Sequence, residues 1–265
     1  MKHVVARIGT KLKWILAVAQ LGATTAASAR LLAGGLWFLV TDSTKSSLRF
    51  REELRALGQS FSFTFEDLGD FGTLHEIFVD EAYRFPLAEE PEIIFDLGSN
   101  IGASVIYFKL QYPSARIVAC EPDPYNFRQL EENVASLQNV ECRQVAAWSE
   151  DGTISFFADP HRGNSSSPMQ RRERQHEIEV EAITLKTLMA EVGVEQVDLL
   201  KFDIEGAEFQ LMQPGALPEG IRAITGEIHE DLQQEGELER LYNTLQQYDV
   251  EERPVSATRR MVFAT

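Results

Sequence analysis

Five short apolar runs recur through the second half of the chain, most of them followed by a stretch with helical spacing. Glu92–Asp96 precedes a helix expected over Ile101–Tyr112, and Arg116–Cys120 precedes one opened by Asp123-Pro124 and reaching about Leu137. Val140–Val145 reads as the third strand. Val197–Phe202 leads to a helix at Glu208–Met212, and Ile221–Ile228 to one bearing Leu238, Leu241, Tyr242, Leu245 and Tyr248 at three- and four-residue spacing. Runs that are apolar throughout belong to strands buried on both faces. Their alternation with helices therefore predicts an α/β fold with a parallel sheet coated on both sides. Asp249–Arg253 and Arg260–Thr265 have no helix between them and are expected to pair antiparallel.

Elsewhere the period changes. Thr153–Asp159 and Glu177–Ile183 alternate strictly, which predicts a half-exposed hairpin inserted into the α/β pattern. Its polar tip, Asp159 to Gln175, carries Arg162, Arg171, Arg172 and Arg174, and its length suits a lid or a surface ornament equally. His161 and His176 read as solvated residues of this tip. Residues 1–60 read as helical, and Thr73–Phe85 as a semi-apolar lead-in, with Pro86 and Pro91 bracketing the link to the first core strand. The expected division is an N-terminal helical region over 1–72 and an α/β domain over 73–265, with the hairpin at about 153–183.

Composition narrows the class. Of 265 residues 44% are hydrophobic, enough for a sizeable core, and the net charge of −16 argues against nucleic acid as a partner. Residues 1–50 run the other way: seven basic residues stand there against Asp42 alone. Trp14–Val40 is largely apolar but is interrupted by Gln20 and Arg30, so it does not read as a membrane span. Three readings of this region stay open. It is a signal peptide ending at Ala27-Ser28-Ala29, a basic segment (residues 1–45) lying on an anionic membrane surface, or helices that cover the catalytic domain or pair with another subunit. Cys120 and Cys142 fall at the ends of neighbouring strands and read as free thiols, which suits a reducing, cytoplasmic setting, with or without membrane association.

The chemistry concentrates in one turn. Asp96-Leu97-Gly98-Ser99-Asn100-Ile101-Gly102 joins the first core strand to its helix, where glycine admits a ligand to the backbone and the helix start offers unpaired N–H groups. Glu121 ends the second strand, 25 residues after Asp96, and is placed to take both hydroxyls of a ribose. The turn lacks the second glycine of the nicotinamide fingerprint and the Gly-Lys-Ser/Thr of a phosphate loop. A carboxylate ahead of the first glycine repels pyrophosphate and welcomes a cationic ligand, so S-adenosylmethionine suits the loop better than NAD.

Taken together, Ile94-Phe95-Asp96-Leu97-Gly98-Ser99-Asn100-Ile101-Gly102, Glu121-Pro122-Asp123-Pro124, Asn133, Ala146, Lys201-Phe202-Asp203-Ile204-Glu205-Gly206-Ala207-Glu208 and Glu227-Ile228-His229 resemble the FkbM family of S-adenosylmethionine-dependent methyltransferases. The resemblance covers about residues 73–265. It implies a class I methyltransferase (Rossmann-like) sheet of seven strands in the order 3-2-1-4-5-7-6, one of them antiparallel. It also implies O-methylation of a small-molecule hydroxyl on a sugar, glycan or polyketide-like compound. Under it Gly98, Ser99, Asn100 and Gly102 wrap the methionine part of the cofactor and Asp96 takes its ammonium. Glu121, followed by Pro122, binds the ribose, Ala146 lies at the adenine edge, and Asp203 faces the crevice.

Glu227 and His229, two apart at a strand end, share a face. With Asp203 they form the candidate catalytic set, His229 serving as general base. Asp203, Glu227 and His229 would also suit a divalent cation that acidifies the substrate hydroxyl. Two other classes compete: a nucleotide (NAD)-dependent oxidoreductase, and a catalytically silent membrane-associated binding domain. The identity of the acceptor and the oligomeric state stay open.

Overall fold

The computed structural model describes residues 2–41, 48–158, 176–213, 215–232 and 236–265. The chain opens with two helices, α1 (Lys2–Ala19) and α2 (Thr25–Val40), and Thr24 caps the second by accepting from the Ala27 N–H. A hairpin follows, β1 (Phe50–Ala56) and β2 (Gln59–Phe65), then α3 (Leu68–Leu74), which runs without a break into a π-helical turn over His75–Val79. The expected helical region is thus interrupted by this hairpin, with helix to Val40 and again from Leu68. Leu57 and Gly58, both left-handed at φ 50° and 78°, reverse the chain, and Phe61, Phe63 and Phe65 recur with period two.

From residue 93 the predicted alternation appears: β3 (Ile93–Leu97), α4 (Ala103–Gln111), β4 (Arg116–Cys120), α5 (Pro124–Val134) and β5 (Val140–Arg143). Asp123 caps α5 through the N–H groups of Tyr125 and Asn126, and Pro124 occupies its first turn. Next come β6 (Ala146–Ala147), β7 (Gly152–Ala158) and β8 (His176–Ile183). These form a separate three-stranded sheet in the order β6-β8-β7, so the predicted hairpin is present. Its arginine-bearing tip, with His161, lies outside the described residues, and His176 is exposed.

The helix α6 (Leu185–Val192), which the sequence reading passed over, carries the chain back under the sheet to β9 (Leu199–Phe202). Then follow α7 (Glu208–Leu211), β10 (Ile224–His229), α8 (Glu237–Leu245), β11 (Val250–Pro254) and β12 (Arg259–Ala264). The main sheet has the order β11-β12-β10-β9-β3-β4-β5, with β12 antiparallel to both neighbours. Numbered within the sheet this is 3-2-1-4-5-7-6, as expected of a class I methyltransferase-like fold. All of β9 and β10 is buried, including the polar Lys201, Thr225, Glu227 and His229.

One core cluster joins Ile15, Val18, Leu31 and Phe38 of the N-terminal helices, Phe65 of β2 and Phe71 of α3 to Val105 and Ile117 of the α/β unit. No packing boundary falls near residue 72. Among the described residues no helix is long and apolar enough to cross a membrane, while Leu16, Leu36, Trp37 and Val40 are exposed on the helical pair. Phe71 is fully buried, with ring centroids of Phe65 and Phe38 at 4.8 and 6.5 Å. Phe71→Ala is expected to cost about 3–5 kcal/mol and to lower one common unfolding transition in urea. A separate early transition for the N-terminal elements would contradict the shared core.

Candidate functional site

The turn after β3 is held from below by a buried ion pair. Lys201 Nζ, on the neighbouring strand β9, lies 2.9 Å from Asp96 Oδ1 and also donates to the carbonyls of Leu97 and Gly98. Ser104 Oγ donates to the other Asp96 oxygen at 2.6 Å. Asp96 is fully buried. Its charge is met inside the protein, so it is not placed to take a cofactor ammonium; the β3 pleat turns it toward Lys201 and away from the crevice. Gly98 sits at φ 72°, and a Cβ there would run into the Asp203 carbonyl, so the turn and the residue after β9 touch backbone to backbone. Ser99 Oγ donates to the Asp96 carbonyl, which makes it a brace for the turn. Gly102, at φ 88°, opens α4 and leaves room for Leu130 of α5.

Two cavities meet over this turn and share Gly98, Asn100, Asp203 and Glu205. The smaller, about 630 Å³ and open to solvent, is lined by Glu121, Pro122, Val145, Ala146, Trp148, Phe156 and Ile204. Glu121 accepts from the backbone N–H groups of Asn100 and Asp123 at 2.8 and 3.0 Å. Burial, then the nearby Asp123, push its carboxyl up to about 8. Asn100 Oδ1 is buried and has no hydrogen-bond partner among the described residues. This combination of an acidic strand tip, an orphaned amide oxygen and an apolar slot fits an adenosyl ligand with an amino-acid tail. Trp148 and Phe156 had no motif to mark them; Phe156 arrives on the inserted hairpin, which thereby forms one wall.

The larger cavity, about 1450 Å³ including its open mouth, is lined by the π-helical turn (His75, Glu76), Tyr83, Glu227 and Arg259 together with the shared residues. Tyr83 donates its hydroxyl to Asp203 Oδ2 at 3.1 Å. Arg259 arrives because antiparallel pairing of β12 sets it opposite His229. Burial, then Asp203, push Glu76 up to about 7 against the pull of Arg259 and Lys201. None of Glu76, Tyr83 or Arg259 was singled out from sequence.

His229 lies behind this cavity, 1% exposed, and the lining includes Glu227 rather than the imidazole. Its Nδ1 meets Glu208 Oε1 at 2.7 Å, while Nε2 lies 3.8 Å from Glu205 and 3.9 Å from Glu227. Burial alone would lower the imidazole, but Glu208, Asp203 and Glu205 outweigh it and push it up to about 10. An imidazole that holds its proton this way, with Nδ1 engaged by Glu208, does not suit the general base expected of His229. Burial and Asp203 push Glu227 up to about 8. The groups close enough to receive a metal ion are Asp203, Glu205 and His229, whose ligand atoms lie within 4.8 Å of one another; Glu205 takes the place expected of Glu227.

A sequence model of the methyltransferase FkbM domain matches residues 96–251. The chain belongs to the FkbM methyltransferase-domain family. Methyltransferase 1 of Beauveria bassiana is 29% identical over 159 residues, covering 52% of this chain and 64% of its own length. The 2-O-methyltransferase NoeI of Sinorhizobium fredii is 28% identical over 145 residues, covering 49% and 60%. The 31-O-demethyl-FK506 methyltransferase FkbM of Streptomyces tacrolimicus is 27% identical over 191 residues, covering 58% and 73%. The chain thus spans less than two thirds of the length of the first two. Every residue lining the smaller cavity falls inside the FkbM-domain match.

The raised pKa values have one sign. Glu76, Glu121, Glu227 and His229 all hold protons more tightly when folded. Each contributes stability that is complete below its unfolded pKa and is lost as pH rises through its folded one. The melting temperature is expected to fall from pH 6 to pH 9. Glu227→Gln, which mimics the protonated carboxyl, should flatten the fall. A melting temperature that rises across that interval would contradict this charge assignment.

Proposed function

We propose that this protein is an S-adenosylmethionine-dependent O-methyltransferase acting on a hydroxyl of a small molecule, of sugar, glycan or polyketide-like type. The observation that carries the reading is the pair of cavities meeting over the Gly98 turn, one with the features of an adenosyl site and the other polar and wide. When bound, S-adenosylmethionine supplies a methyl group made electrophilic by its sulfonium. On this reading Glu121 accepts hydrogen bonds from the ribose hydroxyls, and Asn100 Oδ1 accepts one from the amino-acid tail. Ala146, Val145 and Phe156 enclose the adenine, and Pro122 shapes the ribose side. Asp203, shared by both cavities, stands between donor and acceptor and is held there by Tyr83.

The rest of the chain positions and dries the site. Well-oriented reactants can be worth roughly 7–11 kcal/mol of barrier, so the fixed turn is the main catalytic device on this reading. The relatives named for 2-O-methylation and for 31-O-demethyl-FK506 support oxygen as the acceptor atom. A nicotinamide enzyme is disfavoured, because the turn offers a side-chain amide at Asn100 where the dinucleotide fingerprint needs glycine.

Calorimetric titration tests the donor half. S-adenosylmethionine and S-adenosylhomocysteine are expected to bind, and NADH is not. Glu121→Gln removes hydrogen bonds to a charged group, each worth about 1.5–3 kcal/mol, so affinity should fall at least about tenfold. Because Glu121 sits near 8, affinity in the wild type is expected to rise with pH between 7 and 9, and this rise should vanish in the variant. A protein that ignores both adenosyl compounds would overturn the proposal.

A further inference from the structure

Glu208 engages His229 Nδ1 and the ring is set behind the cavity lining, so the acceptor side needs another group to take the hydroxyl proton. The π-helical turn supplies one. In a regular α-helix residues five apart stand about 140° from each other around the axis. Here the Asp80 N–H donates to the His75 carbonyl at 2.9 Å, the i→i+5 bond that defines the turn, and the two side chains come together. His75 Nδ1 lies 3.0 Å from Asp80 Oδ2. Single π-turns within helices are frequent at functional sites.

The environment of His75 is that of an oriented base. Its side chain is 4% exposed, whereas Asp80 is 59% exposed and open to water. A carboxylate at Nδ1 holds the ring proton there and leaves the Nε2 lone pair as the acceptor. Nε2 is buried and has no hydrogen-bond partner among the described residues, and the ring lines the larger cavity. Leaving a buried acceptor unsatisfied is destabilising. A substrate hydroxyl would remove that cost.

We infer that His75, oriented by Asp80, is the group that accepts the proton of the methyl acceptor's hydroxyl. This rests on the methyltransferase reading above. As the hydroxyl oxygen takes the methyl carbon, its O–H proton passes to His75 Nε2. The electron pair of the broken carbon–sulfur bond stays on the sulfur of the sulfonium donor, which leaves as a neutral thioether. The imidazolium so formed is stabilised by Asp80 and returns its proton to solvent on that open side. Glu76, the next residue, faces Asp203 and Arg259 and is the internal comparison.

Three measurements on full-length wild type, His75→Gln, Asp80→Ala and Glu76→Gln test this. The first is calorimetric affinity for S-adenosylmethionine, expected to be unchanged within threefold in all of them. The second is transfer of tritiated methyl to a panel of methyl hexosides. His75→Gln should lower kcat by about 10²–10⁴-fold with little change in KM, and Asp80→Ala should lower it at least about tenfold. The third is the ¹⁵N spectrum of the His75 ring, which needs no acceptor. Wild type should carry the proton on Nδ1, and Asp80→Ala should move it toward Nε2.

Wild-type kcat in His75→Gln, or a wild-type ring protonated on Nε2 alone, overturns the inference. If Glu76→Gln suffers the large loss instead, the base is Glu76 and the inference also falls. Loss of adenosyl binding by the wild type would sink the methyltransferase reading itself. If no hexoside accepts methyl, the ring spectrum alone decides.

Discussion

The site depends on a buried cation held between two parallel strands. Lys201 on β9 neutralises Asp96 on β3 and bonds the Leu97 and Gly98 carbonyls, so one ammonium ties the ends of adjacent strands together where the chain leaves the sheet. Such a pair adds little net stability over an apolar substitute, but removing one partner strands the other and costs about 3–5 kcal/mol. Its value is positional. With the turn pinned, Gly98 can sit directly on the Asp203 carbonyl, and both cavities acquire a shared, rigid floor.

A second consequence is electrostatic. Lys201 is bound to Asp96 and reaches Glu76 only at a distance, so among the described residues Glu76, Asp203, Glu205, Glu208 and Glu227 are offset mainly by Arg259 and the His229 proton. Carboxylates gathered in this way cannot all ionise cheaply. The structure responds by holding protons: His229 stays charged to high pH, while Glu76 and Glu227 titrate near neutrality. His229 therefore works as a fixed counter-ion, bound to Glu208, and this explains the second glutamate of the Lys201–Glu208 stretch, which has no place in the cavity.

These relations mark how far the sequence could be read. The parallel strands were legible because burial on both faces leaves unbroken apolar runs, and the hairpin because half-burial imposes period two. The first hairpin was missed although Phe61, Phe63 and Phe65 carry the same signal after Leu57-Gly58. Gly98, Asn100, Glu121, Pro122, Ala146 and Asp203 are local to strand ends, and all line the crevice. Asp96 and His229 meet partners that their local sequence does not show. Lys201 and Glu208 lie 105 and 21 residues away along the chain.

The division between the cavities is also a division of the chain. The smaller one is built wholly within residues 96–251, the stretch that matches the family. Trp14, His75, Glu76, Asp80, Tyr83 and Arg259 of the larger one lie outside it. The N-terminal elements are wired to the turn: Thr64 donates its N–H to Asn133, whose amide donates to the Ile101 carbonyl, and Gln129 donates to the Thr64 carbonyl. They also share the main core with the sheet. The elements outside the family match thus supply one wall of the larger cavity, with His75 and Arg259 in its lining. Because α3 continues directly into the π-turn, a shift of α1, α2 or the first hairpin would reach that wall before it reached Glu121.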